Sequence, residues 1–137
     1  MAILGVAAVT FESMEGFNGA HIIEVLTERA PKPFIAYCKS IGISYIFAGK
    51  EEIDLKVALK KLKKHFGISK LAVCGGSGIN GSFYNENLHD QLDIIMCPLV
   101  GENEGLTLFG GAKEYRLYKF EEATSRSEER FSRNAEI

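Results

Sequence analysis

Lys70-Leu-Ala-Val-Cys74-Gly75-Gly76-Ser77-Gly78-Ile79-Asn80-Gly81-Ser82-Phe83 is an apolar run that empties into Gly75, Gly76, Gly78 and Gly81, then into a short amphipathic pattern through Phe83, Tyr84 and Leu88. A buried strand that turns directly into a helix has this form. Glycines at such a turn permit positive φ and let backbone approach a ligand closely. The first helical turn adds free N–H groups at the positive end of the helix dipole. A tight turn with no ligand would need only two adjacent glycines; the larger number favours a cradle for an anion such as a diphosphate.

Outward from that turn, strand and helix patterns alternate. Ile22 to Thr27, Ile43 to Ala48, Lys70 to Cys74 and Leu92 to Cys97 read as short, mostly apolar strands. Glu114 to Phe120 gives a weaker strand signal. Between the second and third strands, Leu55, Ala58, Leu59, Leu62 and Phe66 recur at the spacing of one helix face. Asp54 is the natural N-cap and Gly67 the stop. Lys56, Lys60, Lys61, Lys63 and Lys64 fall on the opposite face, where a solvated surface accounts for them better than a phosphate-binding patch. An earlier helix runs from Lys32 to Ile41, entered through Pro31 and Pro33, with Phe34, Cys38 and Ile41 on one side and Gly42 behind it. Strands separated by helices of this length predict parallel neighbours joined by right-handed crossovers, with helices on both faces of the sheet. The expected class is α/β.

Composition bounds the rest. The 137 residues fit one domain, and 46% apolar with 25% charged residues is ordinary for a packed globular chain. A formal charge of −2 gives no electrostatic reason to expect nucleic acid or an anionic membrane as partner, so a small molecule suits better. The apolar opening run Ile3 to Val9 has no Lys or Arg before it, unlike a secretory signal, and is shorter than the roughly 20 residues of a membrane span. A cytoplasmic protein is expected. Cys38, Cys74 and Cys97 lie far apart and read as buried, reduced thiols; His21, His65 and His89 show no metal-ligand spacing, and no metal is expected. Residues 121–137 are densely charged and poor in large apolar groups, and are expected to form a poorly ordered tail behind a domain over residues 1–120.

Gly76-Ser77-Gly78-Ile79-Asn80-Gly81 also satisfies the G-x-G-x-x-G pattern of Rossmann enzymes in letter, but the context differs. That fingerprint belongs to the first strand-to-helix turn and expects an acidic residue at the end of the next strand. Here the turn follows the third such unit and the next strand ends in Met96-Cys97-Pro98.

The glycine turn and its flanks instead resemble the reductase domain of bacterial riboflavin biosynthesis and its dihydrofolate reductase-like relatives. The matching pieces are His21 to Glu28, Gly42 to Lys50, Asp54-Leu55, Leu71 to Gly81, and Leu88 through Pro98, extending to Leu106-Thr-Leu-Phe109. They follow the family's order from about Gly16 to Phe109.

The resemblance implies a three-layer dihydrofolate reductase-like sheet and an NADPH-dependent reductase of the 5-amino-6-(5-phosphoribosylamino)uracil type, acting on a pyrimidine or pterin. It further implies that Gly75, Gly76, Ser77, Gly78 and Ile79 hold the cofactor pyrophosphate. Thr27, with Glu28 beside it, would meet the adenosine 2′-phosphate, and Ala48 and Gly49 would border the adenine. A Thr hydroxyl can donate to a phosphate, whereas a Glu carboxylate repels one, so Thr27 is the better ligand.

Cys74 stands where many riboflavin-pathway members carry Glu, which puts contact with a phosphoribosyl substrate in doubt. The family's front portion, with the nicotinamide pocket and substrate carboxylate, is not recognisable before Met1. No catalytic residue is therefore named, and the front half is expected to be missing, with a homodimer or a complementing front-half chain as partner. The competing expectation is a non-catalytic, nucleotide-binding or self-associating remnant.

Overall fold

The computed structural model describes residues 2–6, 19–95, 105, 107–114 and 116–119. Three strands, β1 (Ala2–Val6), β2 (His21–Leu26) and β3 (Ser44–Phe47), form a parallel sheet in the order β1-β2-β3. The register sets Gly5 beside Glu24 on one side of β2 and Tyr45 beside Glu24 on the other. The edge strand Ala2–Val6 goes beyond what the apolar opening run disclosed, because a short apolar stretch does not name its neighbour.

Two helices cover the two faces. The first, α1 (Lys32–Ser40), starts directly after Pro31, where a fixed φ and a missing N–H suit a helix entrance. It lays Cys38 on Ile22 and Ile43, with Phe34, Ile41 and Tyr45 around them. The second, α2 (Leu55–Phe66), is capped by the Asp54 carboxylate, which accepts from the Val57 amide at 2.9 Å. Gly67 closes it with φ 66°. Its inner side packs Ala58 and Leu62 on Ile23, Val25, Ile46 and Ala48. Alternation along β2 thus sends successive side chains to opposite helices, which makes the helix–sheet–helix layering a direct consequence of period 2. Of the outer lysines, Lys61 bends back to donate to the Phe47 carbonyl at 2.6 Å, while Lys56, Lys60, Lys63 and Lys64 are exposed.

The third helix, α3 (Ser77–Asn85), follows the glycine turn as expected. Its approach does not. Lys70 to Cys74 and Leu92 to Ile95 form no ladder among the described residues, and neither do residues 114 and 116–119. Met96, Cys97, Tyr115 and Phe120 lie outside the described residues, as do residues 121–137 and the tail expected there. An apolar pattern records what a segment would bury, but a strand also needs an edge whose N–H and C=O groups answer its own. Ile95 is 91% exposed, and no strand pairs with its segment among the described residues. Cys74 is likewise exposed, against the expectation of a buried thiol, whereas Cys38 is fully buried. No helix among the described residues is long and apolar enough to cross a membrane.

Candidate functional site

The carboxyl ends of β2 and β3 are joined by their loops. Ala48 N–H donates to the Leu26 carbonyl at 2.8 Å and Glu28 N–H to the Gly49 carbonyl at 2.9 Å. The Ala48 carbonyl in turn accepts from Asp54 N–H, drawing the start of α2 against the same corner. Gly49 holds φ 108°, and a Cβ there would run into the Glu52 carbonyl, so the second loop closes only with glycine. Crevices beyond the carboxyl ends of parallel strands are the usual ligand sites of open α/β sheets.

Across this corner lies α3, held in place by residues 107–114 and by Arg116. Gly110 N–H donates to the Ser77 carbonyl at 2.9 Å, and the Asn80 side-chain amide donates to the Leu108 carbonyl at 3.1 Å. Farther along, the Asn85 amide donates to the Gly111 carbonyl and accepts from Lys113 N–H, and the Tyr84 hydroxyl donates to the Glu114 carbonyl. Arg116 sits 4.5 Å from the Tyr84 ring centroid and donates to the Tyr84 carbonyl. Gly81 and Gly110 are required by this contact, since a Cβ on Gly81 would meet the Gly110 carbonyl.

The turn into α3 has Gly75 at φ 98° and a cis peptide between Gly75 and Gly76. The amides of Ser77, Gly78 and Ile79 have no backbone acceptor among the described residues; the first amide with one is Asn80, which donates to the Gly76 carbonyl. A Cβ on Gly76 or Gly78 would meet nothing within 4 Å. Donors without acceptors beside open space suit an anion, and the residues therefore fit a diphosphate.

Between the corner and α3 runs a cleft of about 760 Å³, within the range of small-molecule sites. Thr27 from the end of β2 and Ile79 from α3 both line it, so two of the predicted residues meet there. Ala48 is fully buried in the α2-side core, and Gly49 lends its carbonyl to Glu28; neither lines the cleft. Gly75, Gly76, Ser77 and Gly78 form the turn above Ile79, outside the cleft lining.

The cleft also contains Arg29, Glu51, Ser82, Asn85 and Lys113, which the sequence reading did not single out. Arg29 and Glu51 could have been found from their positions alone, each a few residues past the end of a parallel strand. They form an ion pair across the two loops. Among the described residues, no group of three or more His, Cys, Asp or Glu is arranged to hold a metal.

A parallel α/β sheet covered by helices on both faces, with a cleft at the strand ends beside a glycine turn, fits a dihydrofolate reductase-like domain. The chain belongs to the RibD C-terminal domain family, which residues 11–129 match. It is also 36% identical over 93 residues to the 2,5-diamino-6-ribosylamino-4(3H)-pyrimidinone 5′-phosphate reductase of Aquifex aeolicus (strain VF5). That match takes in 67% of this chain and 41% of the relative, so the chain spans less than half the length of the curated relative it matches.

Proposed function

We propose that this chain binds NADPH and forms the dinucleotide-holding part of a reductase for a ribosylaminopyrimidine phosphate, in the cytoplasm. The observation that carries the reading is the set of amides at Ser77, Gly78 and Ile79 that have no backbone acceptor among the described residues, in a turn whose Ile79 lines the same cleft as Thr27. In this reading those amides hold the diphosphate, Gly76 and Gly78 leave room for it, and the Thr27 hydroxyl donates to the adenosine-side phosphate. NADPH when bound supplies the hydride. The residues of this chain bind and orient it, and positioning of this kind provides much of the acceleration of a transfer between two bound partners. The relative's name supports the pyrimidine class of substrate.

Titration of NADPH, followed by its fluorescence, is the test. We expect saturable binding that is weakened at least tenfold by Gly76→Asp, which places a carboxylate where the diphosphate would sit. Absence of binding at millimolar NADPH would remove the reading. A partner surface is part of the same proposal: Ile95 and Leu117 are almost wholly exposed, and a second copy or another chain that covers them fits the apolar surface.

A further inference from the structure

We propose that Glu51 sets how strongly the cleft selects NADPH over NADH, by competing with the ligand's phosphate monoester for Arg29. The inference rests on the dinucleotide reading above and goes beyond it to the selectivity of the site.

Arg29 stands on the loop after β2, two residues beyond Thr27, and Glu51 on the loop after β3; both line the cleft. Their side chains are ion-paired to one another while 71% and 60% exposed. An exposed pair of this kind is weak and is exchanged at little cost for a better partner. A phosphate monoester near Thr27 is such a partner, because a guanidinium matches phosphate oxygens with two parallel N–H donors. Taking Arg29 from Glu51, however, leaves the carboxylate unpaired beside a dianion.

The surrounding charges do not remove that conflict. Glu52 adds a second carboxylate to the lining, Glu86 is engaged 3.5 Å from Lys56, and Lys113 is the other cation of the cleft. NADH carries a neutral hydroxyl in place of the monoester, so it neither recruits Arg29 nor meets the repulsion. Glu51 thereby lowers the preference for the phosphorylated dinucleotide without touching the diphosphate turn.

The experiment is a set of four chains, wild type, Glu51→Gln, Arg29→Gln and the double variant, each titrated with NADPH and with NADH at low and high salt. Glu51→Gln is expected to tighten NADPH about threefold to tenfold, to leave NADH within twofold, and to lose this gain at high salt. Arg29→Gln is expected to bring NADPH down toward NADH, and the double variant to show a smaller gain, the part that comes from lost repulsion alone. An NADPH-to-NADH ratio unchanged by Glu51→Gln, with both dinucleotides still binding, would overturn the inference and leave the dinucleotide reading standing. A gain of equal size in the Arg29→Gln background would overturn it as well, since Glu51 would then act by repulsion alone. Failure of either dinucleotide to bind any of the four chains would remove the dinucleotide reading and this inference with it.

Discussion

Glu24 is the residue whose environment departs most from its chemistry. It lies at the centre of the sheet, fully buried on the α1 side, and neither carboxylate oxygen has a hydrogen-bond partner among the described residues. Burial pushes it up to about 7. Cys38 faces it from α1 and is itself raised, first by burial and then by the charge of Glu24; Tyr45 is its neighbour on β3, and on β1 the register places Gly5. The consequence for stability has a definite sign. In the unfolded chain the carboxyl ionises near 4.5, while in the folded chain it keeps its proton until about 7. Between those values the folded state binds more protons, so its stability falls as pH rises through the window and levels off above it. Urea unfolding at pH 5 and pH 8 should show this decline, and Glu24→Gln should flatten it and stabilise the pH 8 state by about 1–3 kcal/mol. An equally steep decline in the variant would assign the effect to other groups.

At the scale of elements, α3 and its clamp give a prediction that separates two glycines of one helix. Gly78 has open space where a Cβ would go, whereas at Gly81 that space is taken by the Gly110 carbonyl. Gly78→Ala should therefore leave stability unchanged or raise it by about 0.5–1 kcal/mol through helix propensity. Gly81→Ala should lower stability by about 1–3 kcal/mol and weaken NADPH binding, because it pushes residues 107–111 away from the first turn. Denaturant midpoints for the two variants check this, and equal midpoints would mean that the clamp yields freely.

The same elements show what could be read in advance. Helices α1 and α2 were legible with their apolar faces because 3.6-residue periodicity, Pro31, Asp54 and Gly67 are all local signals. The glycine turn was legible for the same reason. The Lys70 and Leu92 segments were not, because pairing is decided by whatever lies alongside and no local pattern holds that information. Of the site, Thr27 and Ile79 could be named, but Arg29, Glu51 and Lys113 come together only when two loops and the 107–114 segment converge.

For the molecule as a whole, exposed apolar side chains in and beside the segments that read as strands but form no ladder among the described residues lead to an expectation about association in solution. Ile94, Ile95, Leu108 and Leu117 all stand exposed, and Ile95 and Leu117 are almost entirely so. A chain that buries Ile22 and Ile23 completely yet leaves these residues exposed among the described ones has apolar surface still to cover. Burying one such side chain contributes roughly 1.5–3 kcal/mol, so covering several offsets a substantial part of the entropy lost on association. Backbone groups along Leu92 to Ile95 would gain hydrogen bonds in the same step if the partner supplies an edge. We therefore expect sedimentation to report a mass that rises with protein concentration. Ile95→Glu and Leu117→Glu, which place charge on that surface, should each weaken the association at least tenfold while α1 and α2 keep their helical signal. A wild-type chain that sediments as a monomer at every concentration would assign that surface to a different partner chain, and adding that partner should then protect the Leu92 to Ile95 amides from hydrogen exchange.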